Sequence, residues 1–291
     1  QSLYKAIMFC NTAIERIPNA TKMTEEEKVA YLGELRFLRG FNYFNLVKYW
    51  GGVPLKTDKN ITEWNIPKSS KEEVYNFIIE DLKYALDNCP DKKRYLATPD
   101  KNTVRVCLAD VYMHTGDYIE AKKLSGEVVN SGAYQLVQVA EPRDFDKVFG
   151  ADLTTSTEEI FYIKTSRIDG KTWDYLSYTS HPKYEFVPGK TMLNGNGYYT
   201  HYTDLRNHII KSWDTNDLRY GMNIGFYVFG KDAYGEYTCL LTKYTDPNAQ
   251  GNGANVSIPL IRYTDAMLIY SEACARVANT PTMESIEMLN Q

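Results

Sequence analysis

No stretch of this 291-residue chain is apolar for long enough to cross a bilayer as a helix. Cysteine is sparse: Cys10, Cys89, Cys107, Cys239 and Cys274 are odd in number, far apart and never in a C-x-x-C pair. That argues against a disulfide framework or a zinc ribbon. Positive charge is not concentrated either. Lys and Arg number 33 against 37 Asp and Glu, a net charge of −4, and the basic residues are scattered, so no nucleic-acid footprint is present. No signal peptide opens the chain, which begins inside one helical pattern and stops at Met288-Leu289-Asn290-Gln291 inside another. Both ends therefore read as cuts in a longer protein.

The motifs of common catalytic sites are missing as well. There is no H-E-x-x-H, no G-x-S-x-G and no phosphate-binding loop, and Gly195-Asn196-Gly197 reads as a turn. The four histidines (His114, His181, His201, His208) include no i, i+4 pair, so no metal site is expected. Asp204, Asp214 and Asp217 are scattered rather than set as a pair for glycoside hydrolysis. A non-enzymatic chain without cofactor follows as the expectation.

What is present falls into two kinds of material. The first is helical. Leu3, Ile7, Cys10, Ile14 and Ile17 space a helix over 3–17 that ends at Pro18. Phe37, Phe41, Phe44 and Val47 predict one face of a long helix over 25–50, halted by Gly51-Gly52 and an extended Val53-Pro54. These aromatics, with Tyr112 and Tyr270, read as core. Arg36 and Arg39, between apolar positions of that helix, read as partners for acids on neighbouring helices rather than as ligand contacts. A third helix over 71–88 has Ser70 as N-cap with Glu73 closing a capping box. Further helices are expected over 103–115, 118–130, 262–278 and 283–291. Asp265 and Glu272 on one of these read as members of intrahelical ion pairs.

Around Gly116, the residues Leu108, Ala109, Tyr112, Asp117, Tyr118 and Ala121 fit the tetratricopeptide pattern, with Arg105 and Ser125 where large aromatics are usual. The predicted fold is mainly α: a tetratricopeptide-like superhelix of helical hairpins with a loop-rich excursion containing a few short β-strands. Residues 1–135 supply hairpins, 136–258 the excursion, and 259–291 a returning hairpin that packs with 1–135.

The excursion is the second kind of material. Strands are expected at 159–164, 225–230 and 236–243. Of 24 tyrosines, 11 fall in residues 171–245, together with Trp173 and Trp213, which marks this segment as a different surface from the helices. Trp173, Tyr175, Tyr178, Tyr198, Tyr199 and Trp213 are candidate ring-stacking residues for a sugar, with Asp204 and Arg206 as polar partners. The alternative for each ring is packing of loops onto the helical frame.

Several segments stand in an order that resembles the SusD/RagB outer-membrane nutrient-binding lipoproteins. They include Tyr4-x-x-Ile7-x-x-x-Asn11, Gly51-Gly52-Val53-Pro54, the helix from Val74 to Leu82, the stretch from Leu108 to Ala121 and Ser131-Gly132-Ala133-Tyr134. Beyond these come Glu158-Glu159-Ile160-Phe161, Asp217-Leu218-Arg219, Lys243-Tyr244-x-Asp246 and Arg262-Tyr263-Thr264-Asp265 through Glu272-Ala273. The resemblance implies a lipid-anchored protein on the outer face of the outer membrane. Such a protein captures oligosaccharides, or peptides in some members, and passes them to a TonB-dependent β-barrel transporter. A plain protein-interaction scaffold without a small ligand is the other reading of the helices.

Overall fold

The computed structural model describes residues 2–168, 208–227, 238–241, 243, 244, 246, 248 and 254–291. In chain order the described elements are α1 (Ser2–Arg16), α2 (Glu25–Trp50), α3 (Lys71–Asn88), α4 (Lys101–Thr115), α5 (Tyr118–Val129), α6 (Asp146–Phe149) and β1 (Glu159–Lys164). They continue with α7 (His208–Ser212), α8 (Leu218–Asn223), β2 (Ile224–Tyr227), β3 (Thr238–Leu241), β4 (Ser257–Arg262), α9 (Tyr263–Ala278) and α10 (Met283–Leu289). The fold is mainly helical, as the periodicity predicts. The chain divides into two compact units, Gln1–Tyr134 with Ile261–Gln291, and Gln135–Leu260.

In the first unit each helix packs on the next from α1 to α5, then α5 on α9 and α9 on α10. Local chemistry sets the helix ends. Thr24 and Glu27 close a capping box at the start of α2, and Ser70 and Glu73 close the expected one at α3. Asp100 accepts from the Thr103 amide at 2.8 Å, which starts α4 two residues earlier than periodicity alone suggests. Phe37, Phe44 and Val47 are buried as expected, but Tyr43 is the fully buried ring beside them. Phe41 is half-buried and stacks on Phe37 at 5.8 Å.

The glycine pair after α2 has two separate causes. Gly51 sits at φ 66°, ψ −131°, a conformation that side chains resist. At Gly52 an added Cβ would lie 2.1 Å from the carbonyl oxygen of Ser69. The Ser69 amide donates to the Val53 carbonyl at 3.2 Å, and Pro54 bridges to Lys68. The Gly-Gly-Val-Pro turn thus ties the end of α2 to the residues that start α3.

Between α4 and α5, Gly116 closes a left-handed cap and Asp117 caps the following helix through the Glu120 amide at 3.3 Å. Arg105, at the position where the repeat usually carries Trp, pairs with Glu127 of α5 at 2.7 Å. Ser125 is fully buried and donates to the Ala121 carbonyl at 2.6 Å. Tyr270 of α9 lies against Gly126, and its hydroxyl donates to Glu284 of α10, which also accepts from Lys122 at 2.9 Å. On α9, Asp265 accepts from the Arg262 amide at 2.7 Å and Glu272 pairs with Arg276 at 3.0 Å.

In the second unit β1 pairs with β4, and β2 with β3 antiparallel in the register Ile224 to Leu241 and Tyr227 to Thr238. The expected strand 159–164 forms as read. Residues 228–237, between β2 and β3, lie outside the described residues. Strand β4 was not expected: residues 259–262, assigned from sequence to the returning hairpin, complete this strand, and α9 begins only at Tyr263. Among the described residues this sheet has two strands, both edges, and an edge accommodates Pro259, which has no amide proton. Helices α6, α7 and α8 were also not expected, being too short to show a period.

Candidate functional site

Of the candidate ligand residues, Trp173, Tyr175, Tyr178, Tyr198, Tyr199, Asp204 and Arg206 lie outside the described residues. Trp213 is described and half-buried in the turn after α7. Its indole Nε1 donates to Asp217 at 3.2 Å, and its ring meets Tyr220 edge-on at 5.9 Å over the buried Ile210. Asp217 also accepts from the Arg219 side chain, at 2.6 Å from Nη2, and from the Arg219 amide at 2.9 Å. The Arg219 contacts and the Trp213 donor hold its carboxyl well below the usual aspartate range. Asp214 caps its own turn through the Asn216 amide at 2.9 Å.

The other middle landmark is structural. Arg167 forms a fork with the fully buried Asp246, at 2.8 and 2.6 Å, and reaches Asp152 at 2.6 Å. Asp246 further accepts from the amides of Asn248 and Asn255, at 2.9 and 2.7 Å. Thr165 donates to the Ala254 carbonyl at 2.6 Å. Tyr244, at φ 64°, packs edge-on against Phe149 at 5.6 Å. The Lys-Tyr-x-Asp landmark therefore holds Asp152, Thr165, Arg167, Asp246, Asn248 and residues 254–256 together.

In the helical unit the opening Tyr-x-x-Ile-x-x-x-Asn helix acquires a physical role. Tyr4 donates to the Pro54 carbonyl at 2.8 Å, and Asn11, 2% exposed, donates to the Lys56 carbonyl at 2.9 Å. The Tyr43 hydroxyl donates to the same carbonyl at 2.8 Å and accepts from the Lys56 amide at 2.7 Å. Arg39 is buried and forks onto Asp81 of α3, at 2.7 and 2.8 Å, while its third nitrogen reaches Asp58 at 2.6 Å and Asn11 at 2.8 Å. Burial works against its charge, but Asp81 and Asp58 more than offset this and raise its pKa. Its partners are acids, as expected, and it makes no ligand surface.

These bonds fix the strap 54–66 onto α1 and α2. Where the strap turns, Trp64 is 92% exposed. It borders a pocket of about 520 Å³ walled by Tyr4, Lys5, Met8, Lys56, Ile61 and Ile66, among others. Nothing in the sequence reading singled out Trp64. The available signal was a tryptophan between two prolines, Pro54 and Pro67, outside every helical period. A second concavity of about 280 Å³ between α4 and α9 is lined by Asp110, His114, Glu272 and Arg276 among others. Its polar groups meet within it, His114 Nδ1 with Asp110 at 3.3 Å and Arg276 with Glu272 at 3.0 Å. Among the described residues, no group of three or more His, Cys, Asp or Glu side chains is arranged to hold a metal ion.

Stacked helical hairpins define a tetratricopeptide-like fold in the first unit, and comparison with known proteins names the family. A family model described as "SusD family" matches residues 112–291, and one described as "Starch-binding associating with outer membrane" matches residues 1–113. The chain belongs to the SusD family. The SusD-like protein P2 of Formosa agariphila is 27% identical over 99% of this chain and 60% of its own length. A SusD superfamily protein from Parabacteroides distasonis superposes with a TM-score of 0.77 at 20% identity, covering 100% of this chain and 65% of that one. A structure titled "Laminarin binding SusD-like protein" gives 0.76 at 19% identity, covering 99% and 68%. The likeness to solved structures is one of fold, and the chain spans about 60% of the length of the curated relative.

Proposed function

We propose that this chain is the scaffold and ligand-bearing part of a non-catalytic oligosaccharide-binding protein. It acts at the outer face of the outer membrane, lipid-anchored, and hands its ligand to a TonB-dependent β-barrel transporter. The observation that carries the reading is the family match over 112–291, the stretch that contains the aromatic excursion. The laminarin-binding neighbour supports a glycan as ligand class. No helix among the described residues is long and apolar enough to span a membrane. Trp173, Tyr175, Tyr178, Tyr198, Tyr199 and Trp213 supply ring faces, and Asp204 and Arg206 bond the polar edge of the sugar. Trp213 can do so with the part of its indole that Tyr220 and Asp217 leave exposed.

Binding of Trp173→Ala and Trp213→Ala to a panel of neutral and acidic oligosaccharides tests the platform. Each loses roughly tenfold in affinity if a ring face is removed from a stacking site. Unchanged affinity in both variants removes the platform. Binding of peptides in place of glycans by the unaltered protein moves the ligand class. Release of new reducing ends on long incubation would make the protein a hydrolase instead.

A further inference from the structure

We infer that the pocket beneath Trp64 is a second carbohydrate site, selective for a sugar ring that carries a carboxylate or a sulfate. The inference rests on the glycan reading above but concerns a different surface, the strap 54–66 on α1. Three observations converge there.

The first is an unused ring. An indole 92% exposed costs apolar area in water, and Trp64 has no ring partner among the described residues. It stands at the rim of a pocket of about 520 Å³, within the roughly 300–1,000 Å³ typical of small-ligand sites. Met8, Ile61 and Ile66 give that pocket an apolar wall.

The second is charge. The chain carries a net charge of −4, yet the charged residues lining this pocket are Lys5 and Lys56. Lys56 uses one of its three donors on the Glu63 carbonyl, which leaves two for a ligand and holds the ammonium at the pocket. A neutral sugar would stack on the indole but give no counter-charge to the Lys56 ammonium, or to Lys5 of the same wall, whose ammonium now lies 5.9 Å from the Phe9 ring centroid. An acidic ring answers both.

The third is rigidity. A loop that merely connects α2 to α3 needs no buried anchors. This one is held by Tyr43 and Asn11 at Lys56, by Arg39 at Asp58, and by Asn60 at the Leu55 carbonyl (3.0 Å) and the Thr57 amide (2.7 Å). The backbone leading to Trp64 and the Lys56 ammonium are therefore placed before ligand arrives, so that ordering on binding is confined largely to the indole itself.

Titration calorimetry on the full-length protein tests the site, using an oligogalacturonide, a sulfated galactan oligosaccharide and their neutral counterparts. Trp64→Ala should weaken the acidic ligands about tenfold, as expected for loss of a stacked ring. Lys5→Glu should weaken them about fivefold at low salt, with the effect fading as salt screens the charge, and should leave neutral ligands unchanged. Which of the two acids binds tells carboxylate from sulfate recognition. Trp64 is exposed, so an unchanged urea midpoint shows that its removal leaves the fold intact. Trp173→Ala should spare the Trp64-dependent binding. Acidic ligands bound equally by the unaltered protein and Trp64→Ala, or lost only in Trp173→Ala, overturn the second site and leave the platform standing. An acidic peptide bound at Trp64 in place of any sugar overturns the ligand class. No glycan bound by the unaltered protein overturns both readings together.

Discussion

Truncating Arg39 is the most demanding test of how the helical unit is held. Its side chain and that of Asp81 are each 2% exposed, and Arg39→Ala removes two hydrogen bonds to Asp81, one to Asp58 and one to Asn11. The aromatic contact of the guanidinium with Phe77, 5.0 Å from the ring centroid, is lost too. What remains is a carboxylate buried between helices, with Arg36 at 3.8 Å as its remaining cation. Breaking a buried pair from one side costs about 3–5 kcal/mol. Arg36 brings the expectation to the lower end, near 3 kcal/mol, a large part of the roughly 5–15 kcal/mol that keeps a domain folded. At about 2–4 °C per kcal/mol, Tm falls by about 6–12 °C. The double variant Arg39→Met/Asp81→Leu removes the charge buried between the helices and leaves only Asp58, 22% exposed, without its guanidinium, so it should recover part of that loss. The pH dependence has a definite sign. Burial already pushes the Asp81 carboxyl above the usual aspartate range, against the pull of the two guanidiniums, and removing Arg39 pushes it further. A carboxyl whose folded pKa lies above its unfolded one favours the folded state at low pH, and that contribution is lost as pH rises through the folded pKa. The deficit of Arg39→Ala relative to the unaltered protein is therefore smaller at pH 5 than at pH 8. Urea unfolding followed by circular dichroism at both pH values measures it. A loss under about 1 kcal/mol, the worth of an exposed ion pair, or a deficit that widens on acidification, refutes the reasoning.

Two further outcomes follow from close packing. Gly33→Ala would put a methyl group 2.8 Å from the Cys89 amide nitrogen and 2.9 Å from the Asn88 carbonyl carbon, so α2 and the end of α3 must separate. Overpacking of this kind costs about 1–3 kcal/mol, more than the up to about 1 kcal/mol gained in helix propensity; an unchanged urea midpoint would deny the close approach. Burial pushes the thiols of Cys10 and Cys89 up to about 11 and about 12, and raises Cys107 and Cys274 as well. At pH 8 a disulfide reagent should label at most one thiol of the native protein, Cys239, and all five in urea; two or more labelled native thiols contradict the burial.

Helix boundaries were legible because their causes are local. Ser70 and Glu73 lie within one turn of each other, and Gly51-Gly52 follows directly on the helix it ends. The hairpin around Gly116 was legible for the same reason. Strand β4 was not, since its partner β1 lies some hundred residues earlier and its own run contains Pro259. That Arg39 pairs with acids could be read from its place between apolar positions. That those acids are Asp81 and Asp58 could not, because one is on the next helix and the other on the strap between them.

Tyrosine density pointed to the excursion, but the ring most open to solvent among the described residues is Trp64, in a segment of unremarkable composition. Residue type gives the chemistry a ring can do and says nothing about whether its face is covered. For Trp213 the structure supplies a cover, Tyr220 on one side and Asp217 at the indole nitrogen; for Trp64 it supplies none. A weaker signal was nonetheless present on the helices. Asn11 follows Ile7 by four residues on the buried stripe of α1, and Arg39 and Tyr43 stand four apart on the buried side of α2. Three polar groups at core positions must each find a partner, since leaving a buried donor or acceptor unmade costs about 1–3 kcal/mol. Asn11 and Tyr43 find theirs on the Lys56 carbonyl in the segment between α2 and α3, and Arg39 finds Asp58 in that segment besides Asp81 on α3. Polar residues at an apolar period thus announce a pinned loop, and a pinned loop with an exposed indole is a place to look for a ligand.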